Sequence, residues 1–119
     1  MSGFRIKLIF SIWLALVALT VWGSLTPGSE MPQPGISDKV IHFTAYWILA
    51  IIPAWQFEPA RFGFWSGLSM MILGVVLEFG QGYVPQRSFE VEDMIANTAG
   101  VILGLGLGTW LRHLKTTRP

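Results

Sequence analysis

The chain has 119 residues, 52% of them hydrophobic and only 13% charged, against about 25% charged residues in a soluble domain. With a mean hydropathy of +0.54, that balance argues against an ordinary soluble domain and for a membrane protein. The absence of cysteine excludes disulfides, thiolate metal sites and cysteine nucleophiles, and a net charge of +1 gives no reason to expect nucleic acid as a partner.

Four apolar stretches, 8–25, 40–57, 62–84 and 94–111, each approach the roughly 17–25 residues a membrane-spanning helix needs. They do not alternate polar and apolar residues as barrel strands do, so helices are the spanning structure left. The expected fold is therefore all-α, with four transmembrane helices in a compact bundle forming a single domain over 1–119.

Arg5 and Lys7 precede the first stretch and make it look like a signal peptide. The run is long for one, however, and no small-residue cleavage site follows, so an uncleaved first span is expected. The next segment, 26–37, is rich in proline and glycine and reads as an irregular loop. Asp38 then opens the second span, with Ser37 placed to cap it. His42 lies one turn further on the same face, and Tyr46 one turn beyond that. Pro53 removes a backbone donor, which frees a carbonyl near Leu49 and predicts a bend close to the far end of the helix. A tight turn at 58–61 carries Pro59.

The third stretch contains Glu78, with Gln81 on its face. On the 62–84 boundaries, Glu78 lies about 10 Å below Pro85 at 1.5 Å rise per residue. An ionisable side chain at such a depth costs several kcal/mol unless it is compensated, which makes it a functional-site candidate. It must be paired or carry its proton, and the cationic partners within reach are Arg87, His42 and Lys39. The span runs towards its C-terminus at Glu78, where the helix dipole disfavours a negative charge. Arg87, just past the span, is expected to reach back to it. The short loop 85–92 is polar. Glu90, Glu92 and Asp93 open the fourth span, where acidic residues complement the dipole. Asn97 lies one turn inside, a residue that hydrogen-bonds between spans. Ala96, Gly100, Gly104 and Gly108 repeat every four residues and predict a ridge for close helix contact.

Charge sets the orientation. Arg5, Lys7, Arg61, Arg112, Lys115 and Arg118 fall on one side of the four spans; only Lys39 and Arg87 fall on the other. The positive-inside rule places both termini in the cytoplasm. The acidic residues Glu30, Asp38, Glu90, Glu92 and Asp93 then lie outside. Trp22 falls near the outer boundary, and Trp55, Trp65 and Trp110 near the inner one. Gly104-Leu105-Gly106 follows no strand and is not a phosphate loop. There is no serine elbow and no HExxH zinc motif. His42, Glu78 and Asp93 are metal-donor types without a spacing signature, so no metal and no cofactor is expected.

Read in order, Asp38-Lys39, His42-Phe43 and Tyr46, then Glu78-x-x-Gln81, then Arg87, Asp93, Asn97, Gly100 and Gly104 resemble the VanZ-like family of bacterial membrane proteins. The resemblance covers roughly 37–104. It implies a protein of the bacterial cytoplasmic (inner) membrane and a link to the low-level teicoplanin resistance associated with the family's namesake. It also implies a polar site made of Asp38, Lys39, His42, Glu78, Gln81, Arg87, Asp93 and Asn97. Glu90 and Glu92 sit in a variable loop and are not carried over. The first expectation is a non-enzymatic envelope protein whose outer-facing pocket binds a lipid head group or a lipid-linked envelope component, with Arg87 and Lys39 contacting phosphate. The alternative is a membrane-embedded hydrolase or transferase acting on a lipid-linked substrate, with Glu78, His42 and Asp93 as acid–base groups. A transporter or proton relay is a third reading, and it would call for a homo-oligomer.

Overall fold

The computed structural model describes residues 3–28 and 38–116. The expected cap Ser37, Glu30, Arg118 and most of the first outer loop lie outside the described residues. Those described form four helices, α1 (Gly3–Leu25), α2 (Asp38–Gln56), α3 (Ala60–Gln81) and α4 (Val91–Thr116). The all-helical expectation holds. Three of the helices, α1, α3 and α4, are long and apolar enough to cross a membrane. At 19 residues α2 has the length, but Asp38, Lys39 and His42 crowd its first turns and Pro53 interrupts it, so it is not apolar enough to be counted with them.

The helix ends depart from the apolar stretches for identifiable reasons. α4 extends beyond 94–111 at both ends, because Glu92 and Asp93 in its first turn and His113 and Lys115 in its last suit the dipole. α1 likewise starts well before residue 8. α3 stops at Gln81 rather than 84: the Gly82 N–H turns back to the Phe79 carbonyl at 3.2 Å, and Pro85 cannot continue the helix.

α2 and α4 form the most extensive helix pair, and α3 packs against both. The contacts are in parallel register: the start of α4 meets the start of α2, and its end meets the end of α2. The glycine ridge makes this possible. A Cβ on Gly100 would lie 2.5 Å from the Phe43 carbonyl oxygen, and one on Gly104 would lie 2.6 Å from that of Trp47. A Cβ on Gly108 would come 2.8 Å from Ala54 Cβ. α3 comes close in the same way at Gly67 and Gly74, facing Ala50 and Tyr46 of α2.

α1 packs on α2 and α3, on the opposite side from α4. Its anchor is Trp13, buried among Phe10, Phe57 and Leu49. The indole Nε1 donates to the Leu49 carbonyl at 2.8 Å, the carbonyl that Pro53 leaves without an i+4 donor. At the same end of α2, Arg112 of α4 donates through Nε to Ala54 O at 2.8 Å and through Nη2 to Phe57 O. It also meets Glu58 at 3.3 Å. Helix C-terminal carbonyls have no partner within their own helix, and here a neighbouring helix supplies one.

Around an apolar core that includes Leu49, Met70 and Val101, the bundle also turns large apolar side chains outward. Ile72, Val76, Ile95, Ile102 and Leu103 face outward, with Ile72 68% exposed, while Glu78, Gln81, Asp93 and Asn97 are buried. Lipid is the solvent in which that distribution is stable.

Candidate functional site

The polar side chains gather where α2 and α4 begin and α3 ends. Glu78 lies in the last turn of α3 and is 1% exposed. Because α3 ends at Gln81, Glu78 sits about 4.5 Å of helix rise from that end, shallower than the apolar stretch implied. Beyond Gln81 the chain turns repeatedly: Tyr83 N–H donates to Gly80 O, Val84 N–H to Gln81 O and Arg87 N–H to Val84 O. Gln86 takes a left-handed conformation (φ 61°), uncommon for a residue other than glycine. These turns bring Glu90 back over the helix end, where its backbone N–H donates to Glu78 Oε1 at 2.7 Å. The other oxygen, Glu78 Oε2, is buried without a hydrogen-bond partner.

Around Glu78 the geometry is tight. Lys39 Nζ lies 2.5 Å from Glu90 Oε2 and 2.6 Å from Asp93 Oδ1, bridging the two carboxylates. Its hydrogen bond and charge hold the Glu90 carboxyl below the usual carboxylate range. His42 Nδ1 lies 2.9 Å from Asn97 Oδ1. An amide oxygen only accepts, so Nδ1 donates its hydrogen there and the second ring nitrogen, Nε2, is left for another partner. That nitrogen faces Asp93 Oδ2 at 3.7 Å. One donor atom each from His42, Glu78 and Asp93 lies within 4.8 Å of the others.

Beside this cluster opens a cavity of about 740 Å³. Its lining mixes apolar residues, Leu19 from α1 and Ile41 and Ala45 from α2, with polar ones, among them His42, Glu90 and Asp93. Asp38, exposed at the start of α2, Gln81 and Arg87 also line it.

The structure thus joins Lys39, His42, Glu78, Asp93 and Asn97 in one cluster, and sets Asp38, Gln81 and Arg87 on the cavity wall beside it. The expected pairing of Arg87 with Glu78 is overturned. Arg87 Nη2 donates to Gly23 O at 2.7 Å and Nε to Thr26 O at 3.1 Å, so the guanidinium caps the C-terminus of α1. The Gly28 N–H reinforces that link by donating to Pro85 O at 3.2 Å. Lys39, also expected at Glu78, is held by Glu90 and Asp93. The residue that sequence reasoning set aside is Glu90, which contributes its N–H to Glu78 and its carboxylate to Lys39. Its place three residues before Asp93, on the same helix entry, was the available signal.

The chain matches the VanZ/LLP1 family over residues 4–112. It belongs to the VanZ/LLP1 family. The match takes in α1, which the motif resemblance over 37–104 did not. Among curated proteins, this VanZ/LLP1 chain is similar to an uncharacterized protein of Schizosaccharomyces pombe, with 28% identity over 103 residues. The aligned region covers 83% of this chain and 61% of the yeast protein, so the chain spans about three-fifths of that relative. No solved structure matches.

Proposed function

We propose that this VanZ/LLP1 chain is an integral membrane protein that binds the head group of a lipid, or of a lipid-linked envelope component, in the cavity between α1 and α2. The observation that carries this reading is the cavity itself. Its lining offers apolar side chains for acyl chains and polar ones for a head group, at the end of the bundle where the buried charges lie. The donor chemistry refines the ligand. Both nearby cations are engaged, Arg87 with carbonyls and Lys39 with carboxylates. Asp38, Glu90 and Asp93 line the cavity. The site therefore suits a head group that carries its own cation, an ammonium, better than an anionic one or a bare phosphate. The link to glycopeptide resistance rests on the family resemblance alone.

The test is lipid retention by the purified protein, read by native mass spectrometry after exposure to equal phosphatidylethanolamine and phosphatidylglycerol. Phosphatidylethanolamine should be retained at least about tenfold over phosphatidylglycerol, a difference of about 1.4 kcal/mol, and Glu90→Gln should erase the preference. Equal retention of both lipids by the parent would sink the head-group reading.

We place the cavity on the outer face of a bacterial cytoplasmic membrane with both termini inside, on the strength of the basic-residue asymmetry. The chain's lack of cysteine makes labelling clean. Ser88→Cys, on the exposed loop, should react with an impermeant thiol reagent on intact cells, and Thr116→Cys should react only after lysis. Gly28 is unsuitable as a probe, because a Cβ there would strike the backbone of Gln86. Labelling of Thr116→Cys alone on intact cells reverses the orientation.

The convergence of Glu78, His42 and Asp93 favours a second reading, a hydrolase or transferase acting on a lipid-linked substrate with these groups as acid and base. Release of product from a supplied lipid-linked phosphate discriminates it from binding alone.

A further inference from the structure

We propose that His42, Glu78 and Asp93 form a binding site for one divalent transition-metal cation of the zinc type. The inference goes beyond head-group binding and does not depend on it. The three donors come from three helices, α2, α3 and α4, and meet within 4.8 Å. In a tetrahedral site, ligand atoms about 2.0–2.2 Å from zinc lie about 3.3–3.6 Å apart. The ion therefore draws the widest pair together by about 1 Å.

Two observations point to a cation rather than to a chance meeting of polar groups. The first is Glu78 Oε2, buried with no hydrogen-bond partner on a side chain only 1% exposed. An unpaired carboxylate oxygen in that position is costly, and a bound cation removes the cost. The second is the histidine. Asn97 Oδ1 takes the Nδ1 hydrogen, which aims the other ring nitrogen, Nε2, at Asp93 Oδ2 at 3.7 Å. That separation is too long for a direct hydrogen bond, and a metal ion between the two atoms would also lie within reach of Glu78.

Each donor residue has its remaining atom held. Asn97 fixes the His42 ring, Lys39 holds Asp93 Oδ1, and the Glu90 N–H holds Glu78 Oε1. Outer contacts of this kind orient the ligands of metal sites. The charges agree. With Glu78 deprotonated on binding, the carboxylates of Glu78, Asp93 and Glu90, set against the ammonium of Lys39, leave two negative charges for a divalent ion to cancel. One imidazole nitrogen with two carboxylate oxygens suits zinc and its first-row neighbours. Calcium, by contrast, takes six to eight oxygens, and magnesium keeps most of its water. Three protein ligands leave a coordination position for water or a ligand.

The experiment uses the full chain, purified in lipid-free detergent with a tag that contains no histidine. Equilibrium dialysis against Zn²⁺, read by elemental mass spectrometry, should give one ion per chain. Co²⁺ in its place should give visible ligand-field absorption. Mg²⁺ should not compete. His42→Ala and the near-isosteric Glu78→Gln should each weaken Zn²⁺ binding at least about 100-fold, and Asn97→Ala, which frees the ring without removing a ligand, about 10-fold. The parent protein decides the matter without any variant. If it takes up no Zn²⁺ at tens of micromolar free ion, the proposal is wrong and a proton lies between Nε2 and Asp93. If it binds Zn²⁺ that His42→Ala and Glu78→Gln hold as tightly as the parent, the ion sits elsewhere and the proposal is equally overturned. Because no lipid is present, failure of the head-group reading leaves the outcome untouched.

Discussion

Gly104→Leu should be strongly destabilising. The first added carbon would lie 2.6 Å from the Trp47 carbonyl oxygen and 3.1 Å from the Ile51 nitrogen. Both are backbone atoms of α2, so no rotamer change relieves the clash, and α2 and α4 must part along their whole shared face. Overpacking commonly costs about 1–3 kcal/mol; with backbone on the far side the upper end applies. Thermal unfolding in detergent should fall by more than about 10 °C at that cost. The neighbouring glycine supplies the control. Gly106 faces outward with nothing within 4 Å of its Cβ position, so Gly106→Leu should accumulate and melt like the parent. If the two variants behave alike, the ridge does not pack α4 on α2.

Arg112→Ala should have an effect of similar size. One guanidinium, with its side chain only 13% exposed, donates to Ala54 O and Phe57 O and meets Glu58. Hydrogen bonds from charged donors contribute about 1.5–3 kcal/mol each. Their loss leaves carbonyls at the end of α2 with neither an intrahelical donor nor Arg112. A loss of about 2–4 kcal/mol is expected, measured as the shift in thermal unfolding of detergent-solubilised protein. Arg112→Lys should recover less than half of it, because an ammonium cannot fork across several acceptors as a planar guanidinium does. A melting curve for Arg112→Ala that overlays the parent's would show that the α2 terminus is satisfied by other means.

Comparison of these positions shows which features a sequence can carry. The glycine ridge was legible because only small residues at four-residue spacing permit backbone contact, and the structure places α2 against it. The freed carbonyl at Leu49 was legible from Pro53 alone. The donor that answers it, Trp13, lies 36 residues away, and no local pattern connects the two. Glu78 announced itself by being charged within an apolar run. Its partner did not, because the path after Gln81 is a series of turns without periodicity, and those turns decide that Glu90 rather than Arg87 arrives. Arg112 read as one more basic residue on the cytoplasmic side. Charge counting weighs such residues for orientation and is blind to what the side chain touches. The convergence of His42, Glu78 and Asp93 was hidden for a similar reason: their order in the chain carries no spacing rule, since the spacing is set by three helices packing at once.

The pairing of α2 with α4 has a consequence for how the protein is made. α2 carries Asp38, Lys39 and His42 in its first turns, and its principal partner, α4, is the last of the four to be made. Until residues 91–108 have been translated, the glycines that cover Phe43 O and Trp47 O do not exist, and neither do Asp93 and Asn97, which engage Lys39 and His42. The polar cluster cannot form in stages as successive helices enter the bilayer. Its assembly waits until α4 has been made, and a chain that stops short of α4 leaves Lys39 without Asp93 and His42 without Asn97.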